Sequence, residues 1–164
     1  MAAHSRTDMP NSKSQRPFAG LESKFLSGKV VKWSLPAMEP PFDPQAPSLK
    51  RLLLPQGELA QVYDADEPIR YIACLDLLPG TVRGNHYHKV RRELVYLMRG
   101  ELSLIVRDVE TGGRGTVSLR LGGLVLIEPG IAHAMVISAP GMAVEFAQTR
   151  FDPEDTHRYL CAEV

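Results

Sequence analysis

Three histidines and one glutamate are the residues of this chain whose types and spacing suit the binding of a metal ion. His86 and His88 are two residues apart, and because side chains of a strand alternate between its faces, both imidazoles would point the same way from Cα atoms roughly 7 Å apart. Glu93 follows the polar interval Lys-Val-Arg-Arg, which predicts a turn and a return along a neighbouring strand. His133 comes shortly after the turn signal Glu-Pro-Gly. The spacing therefore predicts one metal site formed by His86, His88, Glu93 and His133.

An ordinary structural role is the alternative for each of these residues taken singly. A lone histidine is often a core residue with its hydrogen bonds satisfied, and a glutamate after two arginines is often a solvated charge. Three of the five histidines of the chain nevertheless fall in these two short stretches, and this joint spacing favours the metal site. Imidazole and carboxylate ligands suit zinc, iron, manganese, nickel and copper, so the ligand types leave the identity of the divalent ion open.

The spacing of these residues resembles the two sequence motifs of the cupin superfamily. The first motif places two histidines and a glutamate between two glycines, and it is matched by Gly80, His86, His88, Glu93 and Gly100. The second runs from a glycine through a Pro-Gly pair to a histidine, and it is matched by Gly123, Pro129, Gly130 and His133. Ile137 stands where the family usually has an asparagine, which is not a metal ligand. The resemblance implies a single all-β jelly-roll barrel around the metal.

A weaker resemblance points to one subgroup of the cupins. The strings Arg-Gly-Asn-His-Tyr-His-Lys from Arg83 and Phe-Asp-Pro-Glu-Asp-Thr-His-Arg-Tyr from Phe151 are similar to those of cupins that modify nucleotide-linked sugars, such as deoxysugar ketoisomerases and epimerases. This likeness implies a small sugar-type substrate. It also implies a homodimer, which the extended N-terminal part of the chain favours as well.

Three functions are compatible with such a site. The first is an isomerase or epimerase of a small hydroxy-carbonyl or sugar-type substrate, for which Glu145, Tyr71 and Arg83 are the candidate catalytic residues and Tyr96 a further candidate. Simple alternation in Met142–Phe151, the strand predicted to close the barrel, instead turns Val144 and Phe146 to the core and Glu145 to solvent. The second is an iron-dependent dioxygenase with an apolar pocket formed by Val95, Leu97, Met135 and Ile137. The third is a small-molecule-binding cupin without turnover.

The amino-acid composition limits the kinds of molecule that the protein is expected to bind. The 164 residues include 19 basic and 19 acidic ones, so the net charge is zero and no basic field would attract nucleic acid or an anionic membrane surface. The two cysteines, Cys74 and Cys161, are too few for a disulfide framework. No apolar run approaches the length of a membrane span and no secretory signal is recognisable, which favours a cytoplasmic protein with a small-molecule ligand.

The order of segments predicts one barrel with arms at both ends. Residues 1–20 are polar and predict a flexible N-terminal arm, and residues 21–48 contain five prolines between Pro36 and Pro47, which predict an extended segment lying across a surface. Residues 49–151 form the predicted cupin barrel, and residues 152–164 form an irregular or short helical tail. The first barrel strands are expected at Leu49–Leu54 and Leu59–Tyr63, and further strands are predicted at Lys29–Trp33, Ile69–Leu78, Thr116–Leu121 and Leu124–Ile127. Gly100 is expected to supply the positive φ of a tight hairpin turn between Leu94–Met98 and Leu102–Val106.

Overall fold

A computed structural model describes residues 22–163 of the chain, so the predicted arm over residues 1–20 lies outside the described residues. The described part is built almost entirely from strands. They are β1 (Glu22–Phe25), β2 (Val30–Ser34), β3 (Ala37–Met38), β4 (Lys50–Leu54), β5 (Gly57–Gln61), β6 (Tyr71–Leu77), β7 (Val82–Tyr87), β8 (Glu93–Asp108), β9 (Arg114–Arg120), β10 (Gly123–Ile127), β11 (Ile131–Ala147) and β12 (His157–Arg158). Two short 3-10 helices, Leu26–Gly28 and Pro153–Asp155, are the helical segments of this region.

Two long strands join the two layers of the fold. The first half of β8 pairs with β10 and with the second half of β11, which also pairs with β6. The second half of β8 pairs with β9 and with the first half of β11, which also pairs with β7. One layer therefore has the order β1-β2-β10-β8-β11-β6, and the other has the order β9-β8-β11-β7-β12. This antiparallel two-layer arrangement is the cupin jelly roll that the motifs predicted.

The main core lies between the two layers. It contains alternate residues of β6, β8 and β9 together with β10 and β11, among them Leu77, Leu97, Leu104, Leu119, Val125 and Ile137. The period of two along each strand places these residues on the inner face. Val95, Leu97, Met135 and Ile137 belong to this cluster, so the sequence was right about the face on which they lie.

The bend of the two long strands lies at Gly100 and Gly141. Gly100 has a φ of +94°, and a Cβ there would lie 2.9 Å from the Pro140 carbonyl oxygen. The pairing of β8 with β11 is also irregular between Ile137 and Ala143. The predicted hairpin turn at Gly100 is therefore wrong: β8 is one continuous strand, and the glycine allows it to pass from one layer to the other. Likewise, the expected closing strand Met142–Phe151 is the second half of β11, which ends at Ala147.

The segment before residue 49 differs from the prediction in part. Strand β2 pairs with β10 in the main sheet, so the barrel begins earlier than the predicted boundary at residue 49. Strands β4 and β5, expected to be the first barrel strands, form a separate three-stranded sheet with β3. A second buried cluster lies on the outer face of the first layer and includes Leu35, Leu49, Leu94, Leu124 and Phe146. The chain between residues 35 and 69 therefore covers the outer surface of its own barrel, and we call it the covering segment. Without it, the apolar residues on this face of the sheet would be exposed to water.

No helix in the described range is long and apolar enough to cross a membrane. Both cysteines are free thiols, with Cys74 exposed and Cys161 buried.

Candidate metal centre

The four predicted ligands come together at one end of the barrel. His86 lies in β7 directly opposite His133 in β11, and Glu93 begins β8. One ligand atom from each of His86, Glu93 and His133 lies within 4.8 Å of the other two. His88, one residue beyond β7, completes the group, because its Nε2 lies 3.3 Å from Oε2 of Glu93. Strand β11 lies between β7 and β8 in the sheet, so the expectation that the chain returns along the strand next to β7 is wrong although the side chains converge.

Glu93 is deeply buried and lacks ordinary hydrogen-bond partners. Glu93 and His133 are each about 1% exposed, and Nε2 of His133 lies 3.4 Å from Oε1 of Glu93. Both carboxylate oxygens of Glu93 and Nε2 of His133 are buried without a hydrogen-bond partner among the described residues. Buried polar atoms of this kind are costly unless something satisfies them. A divalent cation would satisfy all three, so the donor set fits a metal ion.

Electrostatics around the cluster favour the same interpretation. Burial and the nearby His133 lower the pKa of His86 to about 4, so its imidazole is neutral at neutral pH and able to coordinate. Burial alone would raise the pKa of Glu93, but the adjacent His133 and His88 outweigh it and lower the pKa. Burial alone would lower the pKa of His133, but the negative charge of Glu93 outweighs burial, so the pKa of His133 is raised.

Hydrogen bonds on the far side of two imidazoles fix their orientation. Nδ1 of His88 donates to the backbone carbonyl of Asp155 at 2.7 Å, and Nδ1 of His133 donates to the carbonyl of Ile131 at 3.1 Å. Because a carbonyl only accepts, each Nδ1 carries the proton and each Nε2 has a free lone pair directed toward Glu93. Such outer partners are typical of metal-binding histidines.

The C-terminal segment holds the loop between His88 and Glu93. The Asp155 carboxylate accepts hydrogen bonds from the backbone N–H groups of Lys89, Val90 and Arg91, at 2.7, 3.1 and 2.9 Å. Burial raises the pKa of Asp155, but these bonds outweigh it and the pKa is lowered. Asn85, with a φ of +58°, accepts from the backbone N–H of Cys161 at 2.7 Å and so ties the end of the chain to β7. The tail is therefore part of the support of the site.

An open cavity of about 570 Å³ lies against the histidines. Its polar wall includes Tyr71, Arg83, Asn85, Arg91, Glu145 and Arg158. The expectation of an apolar pocket is wrong, because Val95, Leu97, Met135 and Ile137 are packed into the core and none of them reaches the open space.

Glu145 faces the cavity. It lies opposite Val95 of β8 and Ala73 of β6, on the inner side of the sheet, and its side chain is 15% exposed. Burial, and next the charge of Glu93, raise the pKa of Glu145 to about 7, while Arg91 lowers it. The prediction that Glu145 faces solvent assumed that only one face of β11 is buried. Phe146 is instead buried on the outer face, beneath the covering segment, which leaves the inner face to Glu145.

The other candidates divide between the two faces. Tyr71 and Arg83 line the cavity, whereas Tyr96 belongs to the outer cluster and does not reach it. Sequence reasoning missed Arg91, which stood in a run of polar residues, and Asp155, whose string Asp-Pro-Glu-Asp predicted only a short helical cap. The start of that cap is real, since the Asp152 side chain accepts from the N–H of Glu154 at 3.0 Å.

Comparison with known proteins gives structural neighbours alone. No family model matches the chain, and no curated protein has a detectably similar sequence. A 3,4-ketoisomerase from Helicobacter canadensis superposes with a TM-score of 0.59 at 18% identity, over 68% of this chain and 86% of that one. The TDP-quinovose 3,4-ketoisomerase WlaRB from Campylobacter jejuni gives 0.60 at 18% identity, over 68% and 88%.

A third neighbour is the dTDP-6-deoxy-D-glucose-3,5-epimerase RmlC from Legionella pneumophila, in complex with dTDP-4-keto-L-rhamnose. It superposes with a TM-score of 0.63 at 16% identity, over 82% of this chain and 74% of that one. At such identities the likeness establishes the fold alone, a jelly roll that this chain shares with these three enzymes.

Proposed function

We propose that the protein is a metal-dependent isomerase or epimerase of a small sugar-type hydroxy-carbonyl substrate, in which Glu145 transfers the proton. The observation that carries the proposal is the place of Glu145: a largely but not fully buried carboxyl with a pKa raised to about 7 lines the same polar cavity as His86 and His88. A proton-transferring group works best when its pKa lies near the working pH, and burial beside another carboxylate is a common way to raise that of a glutamate.

His86, His88, Glu93 and His133 are the residues that would hold the divalent ion, with zinc, iron, manganese, nickel and copper all compatible with the donor set. When bound, the ion supplies Lewis acidity that stabilises negative charge on a substrate oxygen.

The remaining steps belong to side chains of the cavity wall. Glu145 removes the proton from the hydroxyl-bearing carbon next to the carbonyl, which leaves an enediolate. In an isomerisation it delivers this proton to the former carbonyl carbon, while the hydroxyl proton passes to the former carbonyl oxygen. In an epimerisation the proton returns to the same carbon on the opposite face after the intermediate has turned. Arg91, whose Nη1 lies 3.4 Å from Oε1 of Glu145, holds the carboxylate in place. Tyr71, Arg83 and Asn85 offer hydrogen-bonding groups for the substrate hydroxyls.

Two observations support this choice among the alternatives. Solved neighbours with the same fold are sugar ketoisomerases and epimerases by name. The cavity wall is also polar and charged, which suits a hydroxylated substrate and removes the apolar pocket on which the dioxygenase hypothesis depended.

Incorporation of solvent deuterium into the substrate tests the proposal. Proton abstraction next to a carbonyl exchanges that hydrogen with D₂O, so the metal-loaded protein should label a keto-sugar at the carbon beside its carbonyl. Glu145→Gln keeps the shape of the side chain but lacks the base, and should lower the exchange rate by at least about 100-fold.

Glu128→Gln is the matched control, because Glu128 also pairs with an arginine, Arg92, but at the surface. It should exchange at the wild-type rate. Undiminished exchange in Glu145→Gln would remove Glu145 from the mechanism. Saturable binding of a keto-sugar without any exchange would instead favour a binding protein without turnover.

A further inference from the structure

Arg91 is a buried cation at the wall of the cavity. It is 5% exposed, and its guanidinium carbon lies 4.2 Å from the centre of the Tyr71 ring and 5.5 Å from that of Phe151. Both rings also line the cavity. Aromatic faces stabilise a guanidinium and keep it in one orientation without using its N–H donors.

The hydrogen bonds of Arg91 are incomplete. Guanidinium carries five N–H donors and stays charged at any relevant pH. Nη1 donates to Oε1 of Glu145 at the long distance of 3.4 Å, and Nη2 is buried without an acceptor among the described residues. A buried charged donor without a partner is costly, so its retention at a cavity wall indicates that a ligand satisfies it.

The charges around the cavity also favour an anion. Three arginines, Arg83, Arg91 and Arg158, line the space together with the single carboxylate of Glu145. The negative charge of Glu93 would be balanced by the divalent ion that the proposed function requires. The wall therefore has more positive than negative charge.

We infer that the substrate carries a carboxylate and that Arg91 binds it, so that the substrate class is a sugar acid or a related polyhydroxy keto acid; this rests on the proposed function. The site already accommodates one carboxylate, that of Glu145, beside the same guanidinium. Guanidinium and carboxylate are both planar and form two parallel hydrogen bonds, so one buried arginine suits one carboxylate. A phosphate dianion needs further donors for its third oxygen and second charge, and the other two arginines of the cavity, Arg83 and Arg158, are exposed to solvent. Arg91 is thus a specificity-determining residue for the acid group.

Three sugars with the same ring test the inference by binding alone. Glucose, glucuronate and glucose 6-phosphate differ only at the sixth carbon, which carries a hydroxymethyl group, a carboxylate or a phosphate ester. Dissociation constants measured by NMR titration of the metal-loaded full-length protein should be at least about tenfold lower for glucuronate than for glucose. Equal affinities, or no saturable binding of glucuronate, would overturn the inference, and tighter binding of glucose 6-phosphate would overturn the choice of carboxylate.

Substitutions at Arg91 assign the preference to this residue. Arg91→Gln should abolish the advantage of glucuronate over glucose, and Arg91→Lys should keep part of it, because lysine retains the charge and loses the planar fork. Arg92→Gln is the control, since Arg92 pairs with Glu128 at the surface and should leave the preference unchanged. A preference for glucuronate that survives in Arg91→Gln would overturn the assignment.

The binding test does not depend on the folding of one variant or on catalytic turnover. If Arg91→Gln fails to fold, the wild-type preference among the three sugars, with Arg91→Lys, still decides. The measurement contains no turnover step, so a negative deuterium-exchange experiment would refute the proposed function and leave the carboxylate preference measurable.

Discussion

Glu145 and His86 make opposite contributions to the pH dependence of stability. The pKa of Glu145 is raised from 4.5 to about 7, so between these values the folded chain binds more protons than the unfolded chain, and stability rises as the pH falls. The pKa of His86 is lowered from 6.5 to about 4, so the unfolded chain binds more protons between these values, and stability falls as the pH falls. In the metal-free protein the two effects offset each other over the shared range.

Glu145→Gln should therefore make the metal-free protein more sensitive to acid. With the carboxyl gone, the contribution of His86 is no longer offset, and the free energy of unfolding should fall more steeply between pH 6.5 and 4.5 than in the wild type. Urea unfolding at several pH values measures this slope. Glu128→Gln should follow the wild type, and parallel curves for Glu145→Gln and the wild type would show that Glu145 does not titrate near neutrality.

At the scale of elements, the 3-10 helix Pro153–Asp155 supports the cluster of histidines and Glu93 from outside the barrel. Its Asp155 orders the loop that carries Arg91, and its backbone carbonyl orients His88. Outer contacts of this kind commonly change metal affinity by about 10- to 100-fold when removed. The tail is thus a working part of the site.

Asp155→Ala should weaken metal binding by about 10- to 100-fold while leaving the barrel folded, because three backbone N–H groups lose their acceptor and the loop beside His88 loosens. Competition with a chromogenic chelator measures the change. Glu154→Ala is the control, since Glu154 lies next to Asp155 in the same helix and is exposed. Equal affinities in the two variants would show that the tail does not support the site.

The sequence predicted local elements better than their connections. Strands β2, β6, β9 and β10 lie close to their predicted places because alternation and turn residues are local signals. The passage of β8 and β11 between two layers depends on close contacts at Gly100 and Gly141, which no local pattern reveals. For this reason the sequence predicted a hairpin turn at Gly100 where the structure has a bend within one strand. A glycine with positive φ suits both a turn and a bend, so the residue type cannot distinguish them.

At the scale of the whole molecule, burial of both faces of one layer decides which residues reach the site. The covering segment buries Phe146 on the outer side, so Glu145 turns inward, an outcome that a one-sided sheet would have reversed.

The spacing of His86, His88, Glu93 and His133 was sufficient to predict a cluster, because those residues lie at the ends of strands that meet at one end of the barrel. Arg91 and Asp155 could not be predicted, since their roles depend on contacts between segments 54 and 64 residues apart. The homodimer stays a prediction.

Metal stoichiometry tests the central claim most directly, namely that these four side chains hold one divalent ion. Elemental analysis of full-length protein purified without added metal should find about one first-row ion per chain, as a site with four nitrogen and oxygen ligands predicts. The His133→Ala variant should lose the ion, because the substitution removes the β11 imidazole whose Nε2 lies 3.4 Å from Glu93. The His157→Ala variant should retain the ion, since the His157 ring packs on Tyr87 outside the cluster. A wild-type protein that binds no divalent ion, or a His133→Ala variant with full metal content, would contradict the account.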